Sequence, residues 1–149
     1  PLDLVSSYAP IPVPTGDLPG TTASWTTAKL TRPLTVVGSP RVRLRVETPA
    51  AAVDSASATT ALTLFLKILD VAPDGTATVV RDLVAPARIA DPTRAFTVQM
   101  PAFAHRFAPG HQLRLMVTGG SSNYRGGQVA NPVTISTGST RQVLTLPTP

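Results

Sequence analysis

The sequence predicts an all-β protein, and three observations lead to that prediction. From Ala23 onward, short apolar runs with a period of two are separated by Pro, Gly, Asp and Asn. Val and Thr are frequent in these runs, as they are in β-sheets. Wherever apolar residues recur at helical spacing, a proline or a β-branched cluster interrupts them.

Length and composition indicate one core. The chain has 149 residues, and a domain usually contains about 100–150. Its 42% apolar content can fill a core, and its 14% charged content is too low for a disordered chain. No apolar run approaches the roughly 18 residues of a membrane-spanning helix. We therefore expect a globular domain without a membrane span.

Proline and glycine are frequent at the amino end, where they disfavour helix and favour extended backbone. We predict a proline-rich linker or strap over residues 1–22 and a β-domain over residues 23–149. The first residues show neither an initiator Met nor a signal-peptide pattern. They are typical of a piece cut from a longer protein.

The β pattern favours a two-sheet sandwich, of jelly-roll or immunoglobulin-like type. Ala72-Pro73-Asp74-Gly75 and Pro109-Gly110 each combine a fixed proline φ with a glycine that accepts positive φ, so we expect both to form hairpins. The predicted strands are Ala23–Leu30, Leu34–Val37, Val42–Glu47, Ala61–Val71, Ala77–Ile89 with a break near Pro86, Phe96–Ala102, Gln112–Thr118, Val133–Ser136 and Arg141–Leu146.

Two of these strands have informative faces. In Arg41–Val46 the arginines alternate with apolar residues, so one face meets water or a partner and the other meets the core. In Ala61–Val71 both faces are partly apolar, because Phe65 and Leu69 lie opposite the leucine row. These two side chains either cover a loop or contact another domain, and we treat them as candidate interdomain contacts.

No catalytic residue is assigned. A serine hydrolase needs a nucleophile elbow, and the nearest string, Gly119-Gly120-Ser121-Ser122-Asn123, ends in Asn where the motif has Gly. His105 and His111 are expected to have structural roles, and a triad of one of them with an Asp is the minor alternative. Catalysis by paired carboxylates needs two acids held at close range. Glu47 is the single glutamate, and Asp70, Asp74 and Asp82 flank a hairpin instead.

No metal or cofactor is predicted either. The chain has no cysteine and no H-E-x-x-H motif. Asp70 and Asp74 lack the spacing and terminal Glu of an EF-hand and are typical of a turn. Glycine-rich phosphate-binding motifs are also absent from the sequence.

The loop 119–132 is the candidate ligand site, because it gathers hydrogen-bonding side chains among glycines. A sugar could bind to Asn123, Tyr124, Arg125 and Asn131, although such loops are more often solvated connections.

The net charge of +5 reflects scarce acids more than abundant bases. The bases are scattered, nearly all are arginine, and aromatic residues are few, which argues against a nucleic-acid partner.

Three stretches together resemble a known family. They are Pro19–Thr26 continuing into Leu34–Pro40 and Val42-Arg43-Leu44, then Leu66–Gly75, then His105–Leu115. In this order they resemble the carboxy-terminal, non-catalytic domain of the X-Pro dipeptidyl-peptidase and cocaine esterase (CocE/NonD, S15 peptidase) family of serine hydrolases. The match departs from the family pattern at Ala50–Thr60 and after Val117.

The resemblance implies a jelly-roll β-sandwich of the galactose-binding-like type, packed against an α/β-hydrolase domain earlier in the polypeptide. It implies that the catalytic triad lies in that earlier domain and that this chain contributes packing, oligomer contacts and part of the substrate entrance. A free-standing carbohydrate- or cell-wall-binding module is the alternative, and an enzyme using His105 or His111 is the third hypothesis.

Overall fold

The computed structural model describes residues 21–48, 61–121, 132–135 and 142–149. Over these residues the regular structure is antiparallel β-sheet with one turn of 3-10 helix at Val80–Asp82, so the all-β prediction is confirmed. The strands are β1 (Thr22–Thr26), β2 (Leu34–Gly38), β3 (Arg41–Leu44), β4 (Thr63–Val71), β5 (Ala77–Val79), β6 (Ala85–Arg88), β7 (Phe96–Gln99), β8 (Phe103–Phe107), β9 (Gln112–Thr118) and β10 (Val143–Thr145).

The largest sheet is built around β4, which is paired along both of its edges. On one edge β4 pairs with β9, which in turn pairs with β1. On the other edge β6 pairs with the first half of β4, and β5 pairs with its last three residues. The chain leaves this edge at Val80–Asp82 and returns at Ala85. Because β4 hydrogen-bonds on both sides, it is an interior strand of this sheet, as β9 is.

Two smaller sheets adjoin each other, because β2 of one leads into β3 of the other and β7 leads into β8. One has the order β10-β3-β7, and the other contains β2 and β8. Two residues separate β2 from β3, whereas three residues separate their partners β8 and β7. The Met100 N–H donates to the Pro40 carbonyl at 2.8 Å across this joint. The pairing therefore continues from one small sheet to the other with one extra residue on the β7 to β8 side, as in a β-bulge.

The hydrophobic core draws on all three sheets. Leu66 of β4, Leu113 of β9, Val36 of β2, Val42 of β3 and Phe107 of β8 are each exposed by at most 2% and belong to one cluster. Full burial of such a side chain contributes about 1.5–3 kcal/mol. The small sheets therefore pack face to face on the large one, and the inward rows supply the main driving force for folding.

The strand Arg41–Val46 has the predicted alternation. Val42, Leu44 and Val46 are at most 3% exposed, and the three arginines that alternate with them are exposed. Within the described ranges no helix has the length and hydrophobicity to cross a bilayer.

The first predicted hairpin is confirmed. β4 and β5 pair directly across the turn that contains Pro73, Asp74 and Gly75. Gly75 has φ +90°, which is the left-handed conformation that glycine adopts without steric cost.

The second predicted hairpin is wrong. Gly110 has φ +82° and the chain does turn there, but β8 pairs with β2 and β9 pairs with β4 and β1. The turn passes from one sheet to the other, held by the Gly110 N–H bond to the Leu30 carbonyl at 2.7 Å. Proline and glycine determine that the chain turns here. Whether the turn is a hairpin depends on which strands β8 and β9 pair with.

Two strand assignments also need correction. The strand β8 was not predicted, because His105 and Arg106 interrupt the apolar alternation in the sequence. Its inward row contains Phe103 and Phe107. The break in the predicted Ala77–Ile89 strand lies at the 3-10 turn, where Arg81 and Asp82 both have positive φ, and not at Pro86. Pro86 lies within β6, and an edge strand tolerates a residue without an N–H.

Replacing Leu66 with alanine should lower the free energy of unfolding by about 2–5 kcal/mol, because it leaves a cavity in the core. Val37→Thr is the control: it keeps a β-branched side chain at a position that is 51% exposed and should change the free energy by less than about 0.5 kcal/mol. Urea unfolding measures both. Equal effects of the two substitutions would contradict the assignment of Leu66 to the core.

Candidate functional site

The structure joins both histidines to one carboxylate. The Nε2 atom of His105 lies 2.8 Å from Oδ2 of Asp70, and the Nδ1 atom of His111 lies 2.8 Å from Oδ1 of the same residue. A carboxylate oxygen only accepts hydrogen bonds, so each ring nitrogen donates. Asp70 thus uses both oxygens and fixes both histidine rings. We call these three residues the His-Asp-His cluster.

Three elements bring this cluster together. Asp70 is next to last in β4, two residues beyond the core residue Ile68 and on the same face of the strand. His105 occupies the inward row of β8 between Phe103 and Phe107. His111 directly precedes β9, whose first residues pair with the end of β4. The cluster therefore lies where the core ends and links the large sheet to the β2 and β8 pair.

The cluster is partly open to water. The Asp70 side chain is 15% exposed, and those of His105 and His111 are 26% and 27% exposed. The His105 ring also meets Phe107 edge to face, with centroids 4.6 Å apart. An inward polar side chain requires a partner, and Asp70 supplies one for each histidine.

Within the described residues, this arrangement lacks the nucleophile of a catalytic triad. A triad needs a nucleophile on the ring nitrogen opposite the one that the carboxylate holds. Among the hydrogen bonds of the described residues, no hydroxyl reaches Nδ1 of His105 or Nε2 of His111. Nor do the side chains in the described ranges include a group of three or more His, Asp or Glu arranged to hold a metal ion.

The neighbouring turn carries a second carboxylate. The Asp74 carboxylate accepts the Thr76 N–H at 2.9 Å, and this bond lowers the pKa of Asp74 below its usual value of 3.8. The charge on a protonated His111 acts in the same direction as a smaller contribution to this pKa. The turn also meets the Gly110 turn, where an added Cβ would lie 3.6 Å from Pro73 Cγ.

A cleft of about 310 Å³ opens at another edge of the core, between β1 and β9 on one side and β3 and β10 on the other. Its lining is mainly apolar, and Trp25 is its largest side chain. The described residues that line it are Trp25, Thr26, Thr27, Val42, Arg43, Leu44, Leu113, Leu115, Gln142, Val143 and Leu144.

The candidate interdomain contacts are buried within this chain. Phe65 is fully buried and Leu69 is 6% exposed, and neither belongs to the core cluster between the sheets. Both lie on the opposite face of β4 from Leu66 and are covered by this chain itself. A docked domain would contact them only through the residues that cover them, so the contact stays a prediction.

The candidate ligand loop cannot be placed in the same way. Asn123, Tyr124, Arg125 and Asn131 lie outside the described residues.

The His-Asp-His cluster was not predicted from the sequence, because its members are far apart along the chain. The one sequence feature that points to the cluster is His105, which alternates with Phe103 and Phe107. A polar group at such an inward position needs a hydrogen-bond partner.

Comparison with known proteins adds three findings. A family model described as the X-Pro dipeptidyl-peptidase C-terminal non-catalytic domain matches residues 5–146. No curated protein matches the chain. Several solved structures resemble it in fold.

One solved structure that is similar is a CocE/NonD family hydrolase from Staphylococcus aureus, with a TM-score of 0.60 and 12% identity over 85% of this chain and 30% of that chain. An aminopeptidase from a marine sediment archaeon, Thaumarchaeota archaeon, has a TM-score of 0.52 and 22% identity over 66% of this chain and 18% of its own. An α-amino acid ester hydrolase has a TM-score of 0.51 and 22% identity, again over 66% of this chain and 18% of its own. The chain thus spans less than a third of the length of each of these proteins.

The hydrogen bond between Asp70 and His105 should stabilise the fold. Asp70→Ala and His105→Ala should each lower the free energy of unfolding by about 1–3 kcal/mol. The double variant should lose less than the sum of the two, with a coupling of about 0.5–3 kcal/mol. Urea unfolding of the four proteins gives the coupling, and strictly additive losses would show that the bond adds nothing.

The Asp74 turn should make stability depend on pH in the acid range. A carboxyl with a lowered pKa stabilises the fold above its usual value of 3.8, and that contribution is lost as the pH falls through the folded-state pKa. Asp74→Asn keeps an acceptor but does not titrate. The stability advantage of the natural protein over this variant should therefore shrink below pH 3.8, as measured by urea unfolding across the range. A constant difference would contradict the argument.

Proposed function

The chain belongs to the family of X-Pro dipeptidyl-peptidase C-terminal non-catalytic domains, and from this premise we propose that it is the accessory domain of a serine hydrolase. The catalytic α/β-hydrolase domain precedes it in the same polypeptide. The observation that carries the proposal is the family match over residues 5–146, nearly the whole chain.

The structure supports a non-catalytic role in two ways. Asp70 holds one ring nitrogen of each histidine, and among the described residues no hydroxyl is hydrogen-bonded to the opposite nitrogen of either ring. The solved proteins of similar fold are longer than this chain, which covers 18–30% of their length, and they bear the names of hydrolases. A domain without its own reaction machinery acts by binding and burial.

The architecture we propose is a jelly-roll sandwich of the galactose-binding-like type. The large sheet around β4 forms one layer, and the joined β10-β3-β7 and β2-β8 sheets form the other. The shared core between them supports this arrangement. Residues 1–22 then act as the strap toward the hydrolase domain.

We assign three tasks to the domain: packing against the hydrolase domain, contacts between copies of the protein, and one wall of the substrate entrance. The substrate class of the parent enzyme is an X-Pro peptide or an acyl ester. The names of the similar structures, an aminopeptidase and an amino acid ester hydrolase, include both kinds of bond.

The 149-residue chain alone should hydrolyse neither an X-Pro p-nitroanilide nor a p-nitrophenyl ester. The polypeptide encoded by the complete reading frame should hydrolyse at least one of them. Replacing the serine of its G-x-S-x-G elbow with alanine should abolish that activity. Release of p-nitrophenol or p-nitroaniline measures all three.

Two results would overturn the proposal. One is a complete reading frame that encodes no hydrolase domain. The other is turnover by the isolated chain that disappears in His105→Ala or His111→Ala.

A further inference from the structure

A row of exposed arginines begins on the outer face of β3 and continues one residue past its end. Arg41, Arg43 and Arg45 alternate with the buried core residues and all point away from the core. Residues two apart on a strand are separated by about 6.6 Å, so the row is about 13 Å long. Glu47, also exposed, follows at the end of the row.

On the described neighbouring strands, no acidic residue is paired with Arg41 or Arg43. On β10, Val143 and Thr145 are paired with Arg43 and Arg41. On β7, Thr97 and Gln99 occupy the matching positions, and both are exposed. Within the part of the chain that the structure describes, the three guanidinium groups form no ion pair or hydrogen bond. Three cations thus stand side by side without an ion-pair partner among the described residues.

The same face holds the large apolar side chains that remain exposed in the described ranges. Val143 is 44% exposed next to Arg43, and Val37 is 51% exposed on β2, which continues into β3. An arginine row next to exposed valines has the composition of an interface, where arginine is enriched and lysine depleted. We call this surface, formed by Arg41, Arg43, Arg45, Val37 and Val143, the arginine face.

We propose that the arginine face docks on a carboxylate-rich surface of the hydrolase domain of the same polypeptide. The inference rests on the proposed function, which supplies that domain as a permanent neighbour. Charge complementarity selects the partner chemistry: the planar guanidinium group binds a carboxylate through two parallel hydrogen bonds, and the desolvated valines fill the gaps between such pairs.

The observations favour a protein surface over a nucleic acid. Sites for single-stranded nucleic acid pair basic side chains with aromatic rings on which bases stack. Here the described neighbours of the arginines are Val143, Thr145, Thr97 and Gln99, with no aromatic ring among them. Lysine, which serves as a point charge for phosphates, is also absent from this face.

The test is phenylglyoxal labelling of arginines in the complete polypeptide, read by mass spectrometry. Arg41, Arg43 and Arg45 should react about tenfold more slowly than Arg32 and Arg94, because a docked surface opens only transiently. Arg32 and Arg94 are the internal controls, since both are exposed and lie outside β3 and the strands that pair with it. Equal labelling rates would overturn the proposal.

A charge reversal sharpens the test. Arg41→Glu combined with Arg43→Glu should raise the labelling rate of Arg45 severalfold. The matched variant, Arg32→Glu combined with Arg94→Glu, makes the same charge change elsewhere and should leave the Arg45 rate unaltered. If both double variants behave alike, the arginine face is not the docking surface.

Other occupants give distinct results. Protection that disappears on dilution would assign the face to a second copy of the protein, and protection that nuclease removes would assign it to a nucleic acid; either result overturns the proposal. A reading frame without a hydrolase domain overturns the proposed function itself. Rapid labelling in a polypeptide that does contain the hydrolase domain overturns only this inference.

Discussion

The strand β4 is the element on which the remaining structure depends, because it must be satisfied on both edges and both faces. Its edges bond β9 on one side and β5 and β6 on the other. Its inward row, which includes Leu66, packs against the inward rows of the small sheets, and its outer row, which includes Phe65, is buried within the chain as well. A strand with so much apolar surface is stable only in the middle of a sheet that is covered on both faces. The interior position of β4 in its sheet follows from that requirement.

The end of the same strand shows how polar groups close an apolar row. Asp70 continues the row that faces the core, where an unpaired carboxylate would be strongly disfavoured. Two histidines from separate elements, one on β8 and one before β9, donate to its two oxygens. The cluster thereby ties both sheets and the Gly110 turn to one point. In this geometry the two histidines and the carboxylate join elements that are remote in sequence.

A domain of this kind acts through its surfaces. The family match places it among non-catalytic domains, and its solved counterparts occupy a minor share of longer hydrolases. Its core and cluster are occupied with holding the sheets together, which leaves the outer faces for contact with other structure. Apolar content alone suggests that Phe65 and Leu69 contact a partner, but both are buried within the chain. The arginines that begin on β3 are exposed instead. Exposure, and not hydrophobicity, decides which side chains can meet a partner.

The sequence by itself determined the fold class, most strand positions, the Gly75 hairpin, the alternation of β3 and the family, because each rests on local periodicity, turn chemistry or a run of adjacent residues. It did not determine β8, the position of the break after β5, or the type of the Gly110 turn. Strand pairing decided all three, and strand partners are remote in sequence. The His-Asp-His cluster was beyond local reasoning for the same reason, since Asp70 lies 35 and 41 residues from its partners. Only the packing of one sheet on the other brings these groups within hydrogen-bond distance, because the free energy that places them comes from the burial of their apolar neighbours.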